Sequence, residues 1–100
     1  MSLRIRRRYY DQIVKGTKKE EIRTDKPHWD WLLGEDPPQV ATFLCGRDVH
    51  RRIITRIYRE DPEKVLGRPL SEQGRMDVQS NPAIIIELGD VYEEVTRETW

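Results

Sequence analysis

The chain has 100 residues, 36% of them charged, and its 18 basic side chains balance 18 acidic ones. That length allows one domain around one modest core and excludes a second, while zero net charge removes any general argument for a polyanionic partner. A single cysteine, Cys45, excludes an internal disulfide and a cysteine-rich zinc site.

Leu3 and Ile5 alternate with arginines as a first strand requires. Tyr9, Tyr10, Ile13 and Val14 then share one face of a short helix that Gly16 ends in a left-handed cap. A charged strand follows. Its period of two puts Lys19, Glu21 and Arg23 on one side, opposite Ile22, so a carboxylate lies between two cations. Pro27 suits the first turn of a second helix, with Trp29, Leu32 and Leu33 as its apolar stripe and Trp31 as a second core aromatic or a stacking platform. Val40 to Cys45 is a nearly continuous apolar run, the pattern of a strand buried on both faces, and Gly46-Arg47-Asp48 reads as a hairpin turn.

From Val49 to Tyr58 the β-branched residues return. Of the two alternating sets, Val49, Arg51, Ile53, Thr55 and Ile57 are expected to face inward, leaving His50, Arg52, Ile54, Arg56 and Tyr58 outside. Asp61-Pro62-Glu63 starts a helix that Gly67 stops, and Ser71 to Pro82 reads as an ordered loop or a single helical turn. Ala83 to Leu88 is a second fully apolar strand, with a bulge or bend at Gly89-Asp90. Beyond Tyr92 the one visible feature is a Glu93 to Arg97 pair. The predicted class is α+β, mainly β: a small barrel of about five strands with two or three short helices, in a single domain spanning 1–100. The predicted core is Ile22, Val40, Leu44, Ile53, Ile57, Ile84 and Ile86.

The segment YYDQIVKGTKKEEIR resembles the signature of ASCH domains, a branch of the PUA-like small barrels, which runs roughly Tyr-x-x-Ile-x-x-Gly-x-Lys-x-x-Glu-x-Arg. Tyr10, Ile13, Gly16, Lys18, Glu21 and Arg23 fill every position. The resemblance implies a PUA-like barrel whose cleft receives RNA or a nucleoside at Lys18, Glu21 and Arg23, beside Tyr10. Some ASCH proteins are amidohydrolases that deacylate N4-acetylcytidine. Where they carry a threonine nucleophile this chain has Glu21; the lysine that assists it matches Lys18, and their acidic partner falls near Glu72. At least one ASCH protein is described as a ribonuclease, a chemistry for which Lys18 and Glu21 are the candidate acid and base. A protein-interaction module is the remaining class.

Read from the residues alone, a carboxylate between two cations leaves donors available for a phosphate or base edge, or else braces helix to strand as an ion-pair network. The face carrying Arg52, Arg56 and Tyr58, extended by Arg47, Arg51 and Arg59, suits single-stranded RNA, because cations hold the backbone while a ring stacks bases. An exposed strand blunted against edge pairing has the same composition. Arg4, Arg6, Arg7 and Arg8 form a basic arm. Up to Arg59 there are 14 basic residues against 8 acidic, and afterwards 4 against 10, which predicts one basic and one acidic surface. Cys45, His28 and His50 match no metal-ligand spacing, so no metal or cofactor is expected and Cys45 reads as a buried structural thiol. With no apolar run of membrane-span length and no signal-like stretch behind the arginine-rich start, the chain is expected to be intracellular and cytoplasmic.

Overall fold

In the computed structural model, which is described for residues 1–92, five strands form one mixed sheet in the order β1-β3-β4-β5-β2. They are β1 (Ser2–Arg4), β2 (Glu20–Arg23), β3 (Val40–Cys45), β4 (Asp48–Glu60) and β5 (Ala83–Val91). β1 runs parallel to β3, and every other pairing is antiparallel. The sheet curls into a half-barrel. Helix α1 (Arg7–Lys15) follows β1, a 3-10 helix covers Pro27–Leu33, and α2 (Pro62–Leu66) and α3 (Glu72–Asp77) lie between β4 and β5. The mainly β, small α+β class is therefore observed. No helix among the described residues is long and apolar enough to cross a membrane.

The core is built from Leu3, Tyr10, Ile13, Leu32, Ala41, Phe43, Ile84, Ile86 and Leu88. Tyr10 and Ile13 stand three residues apart on α1, which presents them to the inner face of the sheet. Tyr9 and Val14 are rotated away from that line: Tyr9 is half-buried and Val14 is exposed. A nine-residue helix on a narrow half-barrel buries less of its circumference than the four-residue stripe requires.

The structure corrects the predicted core. Ile84 and Ile86 are fully buried, and Ile57 packs against the cluster. Val40, Leu44 and Ile53 occupy the opposite face, where the registers Val40↔Ile53 and Leu44↔Val49 put them beside one another. Ile53 is 39% exposed and Val49 47%. Ile22 is half-buried, paired with Ile85 on that same outer side. In β3 only Ala41 and Phe43 are buried, so this strand has one covered face and not two. A continuous apolar run carries no phase information, and here the phase was set by which residues α1 covers.

The phase of β4 changes along its length. Register shifts between Arg52 and Ile54 and between Ile54 and Arg56 place an extra residue first in β5, at Gly89-Asp90, and then in β4, at Thr55. His50, Arg52 and Ile54 consequently face inward, and beyond the bulge Ile57 does. The bend expected at Gly89 is present. A β-carbon at Gly89 would lie 2.8 Å from Thr55 Cγ2, closer than real contacts allow, so any larger residue there forces Thr55 of the opposing bulge to shift. Gly89→Ala is expected to cost about 1–3 kcal/mol, the usual range for overpacking. Adding Thr55→Ser, which removes that methyl and keeps the hydroxyl bond to Glu87, should recover most of the loss in a denaturation experiment.

β5, from the acidic half of the chain, lies between β4 and β2 from the basic half, so the two halves interleave in the sheet.

Candidate functional site

Gly16 closes α1 with φ 78°, in the left-handed region that favours glycine, and the amides of Thr17 and Lys18 both donate to Gln12 O. This tight turn returns Lys18 toward β2. Its Nζ lies 3.4 Å from Glu21 Oε1 and also donates to Glu20 O. Arg23 Nη2 approaches Glu21 Oε2 at 3.3 Å and donates to Arg4 O at 3.2 Å. Glu21 is 5% exposed and is the buried charged residue of the described chain.

These bonds have a common geometric cause. β2 pairs with β5 along one side only, leaving the outward N–H and C=O groups of its other side without a neighbouring strand. Glu21 Oε1 accepts from Ile22 N at 3.1 Å, and Lys18 covers Glu20 O, so two of those edge groups are satisfied by side chains of the same segment. Arg23 reaches across the seam to β1, the opposite edge of the curled sheet. A carboxylate between two cations is thus present, with Lys18 and not the exposed Lys19 of the strand alternation as the first of them, and it braces the open side of the half-barrel.

Along this edge runs a cleft of about 250 Å³. Lys18, Glu20, Glu21 and Ile22 form its floor, Arg8, Tyr9 and Gln12 of α1 one wall, and the segment from Leu66 to Val78 the other. Tyr9 Oη donates to Asp77 Oδ2 at 2.9 Å, while Asp77 Oδ1 accepts from Gln73 and pairs with Arg6. Burial and the bond to Asp77 push the Tyr9 phenol above its ordinary pKa, so it remains a neutral donor. Lys18 Nζ and the Arg8 guanidinium each lie 5.6 Å from the centre of the Tyr9 ring.

Tyr10, the expected aromatic of this site, lies in the core, 8% exposed and edge-on to His50. Its neighbour Tyr9 takes that place. Asp77 and Arg68 were also unmarked in the sequence: both lie in a polar stretch with no periodicity, and nothing in local pattern signals a bond spanning 68 residues. Glu72 sits exposed in the first turn of α3, and the acidic group of the cleft wall is Asp77. Among the described residues no cluster of side chains is arranged to hold a metal. Cys45 is half-buried and His28 packs on Trp29. Trp31 is 50% exposed, so it is no second core aromatic.

The bulge divides the second predicted surface. Arg56 and Tyr58 lie on the outer side, with the guanidinium 4.0 Å above the phenol ring. Arg52 faces inward, where it donates to His50 Nε2, Gly89 O and, at 2.8 Å, Ile13 O near the end of α1. Arg52 and Arg56 are therefore not equivalent side chains of one face, and Arg52 ties α1 to the bulge. Arg59 pairs with Asp25 and Asp30. Arg47 lies in the turn between β3 and β4 and Arg51 within β4 opposite Thr42, and the predicted Glu93 to Arg97 pair lies outside the described residues.

His50 completes the Arg52 anchor as a neutral acceptor. Burial first, and then the charge on Arg52, lower its pKa. The unfolded chain then binds this proton more readily than the folded one, so stability should be complete above the ordinary imidazole value of about 6.5 and decline as pH falls through it. Unfolding free energies measured across that interval, with His50→Gln removing part of the slope, test the sign.

No family model, curated protein or solved structure matches the chain.

Proposed function

We propose that this chain is an ASCH-type, PUA-like domain that binds RNA or a nucleoside by seating one base in the cleft at Lys18 and Glu21. One observation carries the reading: at the cleft floor a donor and an acceptor remain unspent side by side. Glu21 has about four lone-pair positions and uses three, on Ile22 N, Lys18 and Arg23. Lys18 has three protons and uses two, on Glu20 O and Glu21. A base edge offers the complementary acceptor and donor.

Size and lining agree with this. About 250 Å³ lies just below the roughly 300–1,000 Å³ of small-molecule sites, which suits one nucleoside and not a duplex. Ile22, Leu66, Leu70 and Val78 supply an apolar wall for a ring, facing Tyr9. The outer pair Arg56 and Tyr58 adds a stacking and phosphate contact for a longer strand.

Fluorescence titration with ribonucleosides and short RNAs at several salt concentrations tests the reading. Lys18→Ala and Tyr9→Phe should impair discrimination among bases, whereas Arg56→Ala should weaken all RNAs alike and reduce the salt slope by about one. Ligand affinity unmoved by Lys18→Ala would remove the cleft from the account.

The same cleft is expected not to turn over N4-acetylcytidine. A carboxylate stands at the nucleophile position, and the nearby Thr17 hydroxyl donates to Gln12 O at 3.2 Å and makes no hydrogen bond to a side-chain base among the described residues. Product detected by mass spectrometry over multiple turnovers would transfer the reading to a hydrolase.

A further inference from the structure

We infer that the preferred ligand carries a phosphate monoester, held at the cleft mouth by Arg8 and Arg68. This inference rests on the reading of the cleft as a base site and adds the charged part of the ligand.

The cations around the cleft are of two kinds. Lys18 and Arg23 share Glu21, and Arg6 pairs with Asp77. Arg8 and Arg68 line the cleft without an ion pair or side-chain hydrogen bond among the described residues, and both are exposed. Arg8 rests on the Tyr9 ring, which positions the guanidinium at the lip without consuming its donors. Arg68 stands on the facing wall, in the loop between α2 and α3. The lining itself balances, with Arg8, Lys18 and Arg68 against Glu20, Glu21 and Asp77, and the ion-pair partners Arg6 and Arg23 behind it bring the local total to five cations against three carboxylates, a surplus of two positive charges.

A neutral nucleoside leaves that surplus unmatched. A phosphate monoester carries about −1.5 to −2 at neutral pH and presents three acceptor oxygens, which answers both the charge and the forked donors of two guanidinium groups. A phosphodiester within a strand brings one negative charge and two free oxygens, a poorer match. The floor thus reads the base through Lys18 and Glu21, and the mouth reads the terminal phosphate. Free mononucleotide and the phosphorylated end of an RNA share this chemistry.

The test compares uridine with uridine 5′-monophosphate, and a short RNA with and without a 5′-phosphate, by calorimetric titration at low salt. The phosphate should tighten binding about tenfold or more in at least one pair, because each charge-assisted bond contributes on the order of one factor of ten. A gain confined to the first pair identifies free mononucleotides, and a gain in the second identifies RNA ends. Arg8→Ala and Arg68→Ala should each reduce the gain, and the double variant should abolish it, the gain being read within each variant as the ratio of affinities with and without the phosphate. Both side chains are exposed, so the folded state should be retained, and circular dichroism checks it. Equal affinity with and without phosphate, or a gain that survives the double variant, overturns the inference while leaving the base site standing. Absence of binding to every one of these ligands overturns both.

Discussion

Phe43→Ala is expected to lower stability by about 3–5 kcal/mol, the range for emptying a large aromatic site in a packed core. Phe43 is fully buried between Leu3 of β1 and His50 of β4, its register partners in the sheet, and belongs to the cluster that α1 covers. Against a total of about 5–15 kcal/mol for a domain, that loss is a large fraction, and unfolding in urea should shift accordingly. The informative comparison is Ile53→Ala. Ile53 is as apolar as its neighbours but lies on the outer face, so its truncation should cost less than about 1 kcal/mol. Similar losses at the two positions would show that β4 is covered on both faces at Ile53, as β5 is at Ile85.

Glu21→Gln is expected to cost about 3 kcal/mol, because it removes the partner of two cations and leaves their charge at a poorly hydrated edge. The amide oxygen can still accept from Ile22 N. Its NH₂ group, however, must then take the Oε2 position and face Arg23, placing donor against donor. The bond from Arg23 to Arg4 O depends on the same orientation, so the seam between β2 and β1 should loosen along with the cleft floor. Equilibrium denaturation measures the loss, and faster amide exchange at the β2 edge would locate it. A change of only a few tenths of a kcal/mol would mean that the seam is held by backbone pairing elsewhere and that Glu21 serves the cleft alone.

The dual use of Glu21 bears on how the proposed site is built. The groups that would meet a base are the groups that satisfy an unpaired strand edge, so they are fixed before any ligand arrives and little side-chain entropy is left to lose on binding. The cost is that variants at Lys18, Glu21 or Arg23 change stability and recognition together. Arg8 and Arg68 separate the two effects, because they line the cleft without an ion pair or side-chain hydrogen bond among the described residues.

Local chemistry determined the elements. Gly16 after an amphipathic stretch, Asp61-Pro62 before a short one and β-branched runs bounded by glycine or proline each specify a helix end or a strand within a few residues, and those elements formed as read. The adjacency of Lys18, Glu21 and Arg23 was legible for the same reason, since they lie within six residues joined by one turn and one strand. Which face of a strand is covered is a different kind of fact. In β3 and β4 both alternating sets contain apolar residues, so propensity could not choose between Phe43 and Leu44, or between Ile53 and Ile54. The choice fell to the packing of α1 against the curled sheet and to the paired bulges at Thr55 and Gly89, which shift the inward phase midway along β4. Arg52 was taken from the expected surface by the same shift, and Asp77 was brought to Tyr9 by a chain path of 68 residues. These outcomes depend on the relative placement of whole elements, which is set by burial summed over the molecule, and no window of sequence contains that sum.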